Sequence, residues 1–253
     1  MFAWNPVSAI VLLLFKKRIS FNHATIRIIS FVLNQRIPFH NITINVSGKA
    51  ISPMTKSLLY YQVYEKEEIA FVEKYISEND DVIELGSSIG VTGSVISHLQ
   101  TNGRYIAVEA NPFLIDAARQ NLDLNRQYEY VLINKAIDYS NKTVSFSAGK
   151  NSLSGRIATA DPENNMMEVE TTTLNEICAS YNFNDFVLVC DIEGAEISIL
   201  LHDKVSLQKC KKIIIELHHT QYNDETYTIA DIRDLIVNSG FKILEENGTV
   251  LLE

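Results

Sequence analysis

The strongest constraint on the fold is a series of short apolar runs that alternate with helix-like segments from residue 65 onwards. The runs are continuously apolar and rich in β-branched residues, as expected for strands that are buried on both faces of a parallel sheet. They are VIEL (82–85), YIAVEA (105–110), YVLINKA (130–136), FVLVCD (186–191) and KIIIEL (212–217). The alternation predicts a doubly wound, Rossmann-like α/β fold.

The C-terminal end follows a different pattern. A predicted helix at 229–238 is followed by FKILEE, then Asn247-Gly248, then TVLLE. Asn-Gly between two apolar runs is a strong hairpin signal, so a mostly parallel, seven-stranded sheet should finish with an antiparallel pair. Dinucleotide-binding folds usually lack this ending, whereas class I methyltransferases that use S-adenosylmethionine (SAM) have it.

Residues 1–64 differ in character, and we expect them to form an N-terminal cap or extension on a domain of residues 65–253. The cap contains helix-like apolar stretches and an alternating strand at 42–46. The apolar run 7–15 precedes three basic residues at 16–18 and is too short to span a bilayer. It is either a helix docked on the domain or on a partner subunit of a homo-oligomer, or a peripheral membrane contact formed by residues 7–18.

Charge and cysteine content narrow the class of protein. The chain has 22 basic and 31 acidic residues, a net charge of -9, which disfavours binding to nucleic acid. Its three cysteines form no C-x-x-C pair and show no metal-type spacing. A reduced, cytoplasmic protein is the simplest interpretation.

The first strand leads into the loop ELGSSIG (84–90), which should cradle a small polar ligand. Gly86 and Gly90 allow a sharp turn and close approach to a ligand, and Ser87 and Ser88 are suited to cap the next helix. A dinucleotide site requires G-x-G-x-x-G to bring N-H groups onto a pyrophosphate, but the spacing here is E-x-G-x-x-x-G. A cofactor without phosphates fits better, and SAM is the obvious candidate, with its ammonium near Glu84.

Further cofactor contacts are expected at the ends of the next two strands. Glu109 lies roughly twenty residues beyond the loop, where a carboxylate accepts hydrogen bonds from ribose hydroxyls. Asn111-Pro112 should start the next helix with a cap and a first-turn proline. Ala110 and Lys135-Ala136 should flank the adenine.

Several acids and one histidine end the last parallel strands, where open α/β sheets carry out their chemistry. Asp191 and Glu193 are placed to contact a methyl acceptor, and Glu196 falls at the start of a helix, where the dipole favours an acid. Alternation points Glu216 and His218 to one side of the fifth strand. The catalytic candidates are therefore Asp191, Glu193, Glu216 and His218, because an attacking hydroxyl must lose its proton to a nearby base.

The chain resembles the FkbM-type methyltransferases, SAM-dependent O-methyltransferases that act on hydroxyls of sugars, glycan chains and polyketides. The resemblance covers roughly residues 65–253 and is carried by VIELGSSIG (82–90), AVEANP (107–112), DIEGAEISIL (191–200) and IIIELH (213–218). It implies a hydroxyl acceptor, with a surface polysaccharide or lipid-linked saccharide favoured over a polyketide.

The chain departs from the family pattern in two places. The family loop usually reads D-x-G-A-N-x-G, whereas Glu84 and Ser87-Ser88 stand here; a lysine commonly lies two positions before the strand-end aspartate, where this chain has Val189. Alternatives that stay open are an NAD-dependent oxidoreductase and a non-catalytic SAM-binding partner in glycan assembly. The acids and His218 are also suited to bind a divalent cation that polarises the acceptor hydroxyl, provided that their ligand atoms converge.

A long polar connection, residues 146–169, separates the third and fourth strands. Such a connection at the catalytic end of a sheet often forms part of the acceptor pocket or a lid. Lys150 and Arg156 in this segment are candidates for contact with an anionic acceptor.

Overall fold

The computed structural model describes residues 31–126, 128–148, 155–157 and 166–253. The described part of the predicted cap begins with a hairpin of β1 (Arg36–Phe39) and β2 (Ile42–Asn45), followed by helix α1 (Pro53–Tyr60). The apolar segment 7–18 lies outside the described residues. Within them, no helix has the length and apolar character needed to cross a bilayer.

The α/β domain then follows in chain order as alternating helices and strands. Its first half comprises α2 (Lys66–Tyr75), β3 (Asp81–Leu85), α3 (Val91–Leu99), β4 (Tyr105–Val108), α4 (Ile115–Asn125) and β5 (Val131–Ile133). A second group of strands comprises β6 (Ala136–Ile137), β7 (Thr143–Ala148), β8 (Gly155–Ile157) and β9 (Met166–Thr172). The chain continues as α5 (Leu174–Tyr181), β10 (Phe186–Cys190), α6 (Glu196–His202), α7 (Lys204–Leu207) and β11 (Cys210–Glu216). It ends as β12 (Thr220–Tyr222), β13 (Glu225–Tyr227), α8 (Ile229–Asn238), β14 (Ile243–Asn247) and β15 (Thr249–Leu252).

The main sheet confirms the predicted Rossmann-like α/β fold. Its seven strands lie in the order β14-β15-β11-β10-β3-β4-β5. The five strands from β11 to β5 are parallel, and β15 pairs antiparallel with both β11 and β14. The Asn-Gly hairpin is present, since Asn247 pairs with Thr249 across Gly248.

Helices cover both faces of the sheet, as the continuous apolar runs predict. One face buries Val82, Ala107, Val187 and Ile214 with residues of α2, α3 and α4, and the other buries Ile83, Leu188 and Ile215 with residues of α5, α6 and α8. Strand residues therefore alternate between two cores, which is why the runs contain few polar residues.

The described part of the cap shares the first of these cores. Phe39 and Ile44 are fully buried in the same cluster as Ile89 and Leu122 of the α/β domain. The amide oxygen of Asn121, on α4, accepts a hydrogen bond from the backbone N-H of Asn45 at 2.7 Å. The hairpin is thus held against α4 by side-chain amides as well as by apolar packing.

The connection between the third and fourth strands differs from the prediction. The predicted strand YVLINKA divides into β5, in the main sheet, and β6, in a separate four-stranded sheet of order β6-β9-β7-β8. The polar connection therefore contains paired strands, with β7 antiparallel to β9. Lys150 lies outside the described residues, as does the side chain of Arg156.

Candidate active site

A cavity opens at the carboxyl ends of β3, β4 and β10. In the sheet, β4 lies on one side of β3 and β10 lies on the other, so the strand order reverses at β3. Open α/β sheets bind ligands at such a reversal, and the cavity lies there. Most of the predicted site residues line its wall: Gly86, Ser87, Ser88, Glu109, Ala110, Asn111, Ala136, Asp191 and Glu193. Glu84, Gly90, Glu216 and His218 are not part of that wall.

The two loop glycines are required by contacts within the protein. A Cβ on Gly86, where φ is +92°, would lie 1.7 Å from the backbone oxygen of Asp191, so this position brings the ends of β3 and β10 together. A Cβ on Gly90, where φ is +77°, would lie 2.9 Å from the backbone oxygen of Ala118 on α4. Both glycines are therefore required by packing against backbone, and the close approach of a ligand to this loop stays a prediction.

The predicted capping role of the two loop serines is wrong. Gly90 is the N-cap residue of α3, and no side chain caps that helix. The backbone N-H of Ser88 instead donates to Glu109 Oε2 at 2.7 Å. Ser87 lies on the cavity wall, and its buried hydroxyl has no hydrogen-bond partner among the described residues.

Glu109 is held in place by two backbone N-H groups. Its Oε2 accepts from Ser88 and its Oε1 accepts from Asn111 at 2.6 Å. Each carboxylate oxygen has a further lone pair, so both can still accept a hydrogen bond from a ligand. Burial raises the pKa of Glu109 to about 7, against the opposing effect of the backbone N-H groups of Asn111, Ser88 and Ala110.

Glu84 occupies a different place from the one predicted. Its carboxylate points under α3, where it accepts a hydrogen bond from the hydroxyl of Tyr105 and would contact a Cβ at Gly93. Burial raises the pKa of Glu84 to about 8. The prediction that Glu84 meets a ligand ammonium is therefore corrected: the side chain is a buried polar contact between β3, β4 and α3.

The end of β4 and the start of β6 form the opposite wall. The side-chain amide of Asn134 donates to the backbone oxygens of Glu109 and Ala110, at 2.8 and 3.1 Å, which fixes the end of β4. Asn111 accepts from the backbone N-H of Phe113 at 3.0 Å. Asn111 thus stabilises a turn, and α4 begins at Ile115, later than the Asn-Pro signal predicts.

The acids that follow β10 and β11 converge on one imidazole. His218 Nδ1 lies 3.1 Å from Glu196 Oε1, and Nε2 lies 3.8 Å from Asp191 Oδ1 and 3.9 Å from Glu193 Oε2. Glu216 Oε1 is 3.7 Å from the same Nε2, so Glu216 and His218 do point to one side. The four acids and His218 are named here the carboxylate–histidine cluster, and two of its members, Asp191 and Glu193, also line the cavity.

Local backbone geometry explains why these acids are brought together. Glu193 has φ +53° and Gly194 φ +106°, so the chain turns sharply between the end of β10 and α6. Glu196 is the first residue of α6, as predicted, and its Oε1 accepts from the backbone N-H of Ile192 at 3.0 Å. The Glu196 side chain is fully buried.

Neighbouring groups in the cluster shift one another's pKa values. The hydrogen bond with Glu196 raises the pKa of His218 to about 9, so the imidazole carries a proton at neutral pH. Burial and the neighbouring Glu216 raise the pKa of Asp191 well above its usual range. His218 in this state donates hydrogen bonds and cannot accept a proton, whereas Asp191 is a stronger base than a solvated aspartate.

Tyr64, Glu65 and Glu68 are among the cavity-lining residues that sequence reasoning did not assign to the site. Glu68 is buried on α2 and accepts from the Thr92 hydroxyl at 2.7 Å. Burial raises the pKa of Glu65 to about 7, with Glu216 adding to the rise. The only feature of the sequence that pointed to Glu65 and Glu68 was a run of acids at the start of a helix. The helix dipole explains such a run as well as a functional site does.

Comparison with known proteins identifies a matching family. The sequence profile of the methyltransferase FkbM domain matches residues 84–243, more than half of the chain. No match to the chain was found among curated proteins.

Among solved structures, the chain is similar to a protein of the NADB-Rossmann superfamily from Streptococcus agalactiae, with 11% identity and a TM-score of 0.43 over 74% of this chain and 67% of that one. It is also similar to magnesium protoporphyrin IX methyltransferase from Synechocystis PCC 6803 with bound SAM. That similarity has 9% identity and a TM-score of 0.39, over 74% of each chain.

Proposed function

This chain belongs to the FkbM methyltransferase family, and we propose that it transfers a methyl group from SAM to a hydroxyl of a sugar or glycan. Membership in a methyltransferase family decides against the NAD-dependent oxidoreductase that the sequence left open. The single observation that carries the proposal is the cavity between β3 and β10. One wall carries Glu109, a carboxylate suited to accept hydrogen bonds from a nucleoside. The other wall carries the acids Asp191 and Glu193.

The cavity has the groups that SAM requires. Glu109 keeps lone pairs on both oxygens for the ribose hydroxyls, and the buried Ser87 hydroxyl lacks a partner among the described residues. Ala110 and Ala136 offer small apolar surfaces for the adenine. When bound, SAM supplies an electrophilic methyl group on a positively charged sulfur.

The acids on the acceptor side do two things for a hydroxyl. As hydrogen-bond acceptors, Asp191 and Glu193 orient the O-H group, and Asp191 takes its proton as the oxygen forms the new bond to carbon. Burial raises the pKa of Asp191, so its carboxylate is a stronger base than that of a solvated aspartate. His218 carries a positive charge beside these acids and positions them.

The acceptor class follows from the charge of the cavity and from the family. Glu65, Glu68, Asp191 and Glu193 all line the wall, so a neutral acceptor with several hydroxyls is favoured over a phosphate or carboxylate. A saccharide has that chemistry, and a polyketide hydroxyl is the second choice.

The test is methyl transfer from radiolabelled SAM to a panel of neutral, acidic and lipid-linked saccharides. We expect label in a neutral saccharide, and we expect mass spectrometry to locate it as a methyl ether. Transfer to nitrogen or carbon would contradict the proposal. Binding of SAM without transfer to any hydroxyl would favour the non-catalytic partner instead.

A further inference from the structure

Three carboxylate oxygens surround His218 Nε2 at similar distances without contacting it. Asp191 Oδ1, Glu193 Oε2 and Glu216 Oε1 lie 3.8, 3.9 and 3.7 Å from that nitrogen. These separations are too long for hydrogen bonds, which end at about 3.2 Å for N-H to O. Three carboxylates from the ends of β10 and β11 therefore face one ring nitrogen.

Buried oxygens without a hydrogen-bond partner point to an additional ligand at this place. Asp191 Oδ1 is buried and has no hydrogen-bond partner among the described residues, although Nε2 is its neighbour at 3.8 Å. Glu196 is fully buried, and its Oε2 also has no partner there. A buried carboxylate oxygen without a partner is costly, so a ligand that satisfies it is strongly favoured.

The spacing of the ligand atoms fits one metal ion. Oxygen and nitrogen ligands lie about 2.0–2.6 Å from a bound divalent ion, so two ligands of one ion are at most about 5 Å apart. One ligand atom from each of Asp191, Glu196 and His218 lies within 4.8 Å of the others. The same holds for Glu65, Asp191 and Glu216, so two overlapping sets share Asp191.

The hydrogen bond to His218 also has the form found in metal sites. A metal-bound imidazole donates its second ring N-H to a carboxylate or carbonyl, which fixes the ring and the tautomer. Glu196 Oε1 lies 3.1 Å from His218 Nδ1 and is itself held by the backbone N-H of Ile192. A cation that binds at Nε2 displaces the proton there, while the proton on Nδ1 stays with Glu196.

We propose that Asp191, which the two sets share, binds a divalent cation, with His218 Nε2 from one set and Glu65 and Glu216 from the other as further ligands. Glu193 is an additional oxygen donor, and Glu196 positions the imidazole. An oxygen-rich set with one imidazole suits Mn²⁺ or Mg²⁺ better than Zn²⁺. A catalytic role for the cation rests on the proposed function. At the end of the cavity where Asp191 lies, the cation binds the acceptor hydroxyl and lowers the pKa of that hydroxyl.

The test is Mn²⁺ binding to untagged, full-length protein that has been stripped with EDTA, followed by the electron paramagnetic resonance signal of free Mn²⁺. We expect one ion per chain. Asp191→Asn and His218→Gln should weaken binding at least about tenfold, and Glu196→Gln should weaken it about 10–100-fold through the imidazole. The control is Glu73→Gln, which alters a carboxylate paired with His40 at 2.8 Å on the surface and should leave Mn²⁺ binding unchanged.

Each outcome decides the cation site separately from methyl transfer. Absence of stoichiometric Mn²⁺ binding, or binding that Asp191→Asn and His218→Gln leave intact in variants that melt like the wild type, would overturn the site. Methyl transfer that proceeds equally with EDTA and with Mn²⁺ would remove its catalytic part and leave the proposed function standing. Stoichiometric Mn²⁺ binding without transfer to any hydroxyl would support the site and contradict the proposed function.

Discussion

At the scale of single residues, Glu109 connects the cavity to a measurable pH dependence. Its carboxylate is fixed by the backbone N-H groups of Ser88 and Asn111, and burial raises its pKa to about 7. Ribose hydroxyls donate hydrogen bonds, so a nucleoside binds the ionised form better. Binding should therefore be lost as the pH falls below 7 and gained as it rises.

We predict that affinity for adenosine rises about tenfold between pH 6 and pH 8, because the ionised fraction of Glu109 rises by that factor. Adenosine is used because it lacks the amino-acid part of SAM and so reports on the ribose contact. Glu109→Gln should weaken binding about 30-fold, the loss expected for charge-assisted hydrogen bonds, and should abolish the pH dependence. Calorimetry at several pH values measures both, and an unchanged pH profile in the variant would show that Glu109 is not the contact.

At the scale of elements, the close contact of β3 with β10 holds the cavity together. Gly86 approaches the backbone of Asp191 so closely that no side chain fits, and the backbone N-H of Asp191 donates to Leu85 at 3.0 Å. The same contact places Asp191 beside the glycine loop. Stability and the position of the acid therefore depend on one residue without a side chain.

We predict that Gly86→Ala lowers the free energy of unfolding by about 3 kcal/mol or more, because the new methyl group collides with backbone that cannot move alone. The matched control is Gly240→Ala, which has a similar φ of +95° but no atom within 4 Å of the added Cβ. That variant should lose only about 1–2 kcal/mol, from the left-handed backbone. Urea denaturation compares the two, and equal losses would mean that the contact with β10 contributes little.

Elements differ in how well the sequence predicts them. The strands of the main sheet follow the apolar runs closely, because burial on both faces leaves little choice of residue. Helix starts are less certain: Asn111-Pro112 has the residues of a cap, yet α4 begins at Ile115 because Asn111 is engaged with a turn and with Glu109. The hairpin β12–β13 was missed, although Asn223 and Asp224, both at positive φ, form the two-residue loop that such a hairpin favours.

At the scale of the whole molecule, the site depends on contacts between segments far apart in sequence. Strand-end placement predicted Asp191, Glu193 and Glu109 on one cavity, because parallel strands share a carboxyl edge. The direction of the Glu84 side chain could not be predicted, because a residue near the end of a strand can face either side of the sheet. In the structure, its carboxylate accepts a hydrogen bond from Tyr105. Glu65 and Glu68 could not be found either, because only tertiary packing brings α2 over the cavity.

The cluster around His218 also depends on contacts that the sequence does not reveal. The chemistry of each acid was visible, but convergence on one imidazole requires the turn at Glu193 and the start of α6. The four acids there come from two strand ends and a helix. The distances of these acids from the ring nitrogens of His218, rather than the number of acids, distinguish their roles. Asp191 and Glu193 face the methyl acceptor, and Glu196 positions the imidazole.

Two assays that compare the wild type with Asp191→Asn separate the role of Asp191 in methyl transfer from cofactor binding. Methyl transfer from SAM to a saccharide hydroxyl should fall about 100-fold or more, the usual contribution of a general base. Affinity for S-adenosylhomocysteine should stay close to that of the wild type, because Glu109 and the glycine loop are unchanged. Undiminished transfer by Asp191→Asn would contradict the account.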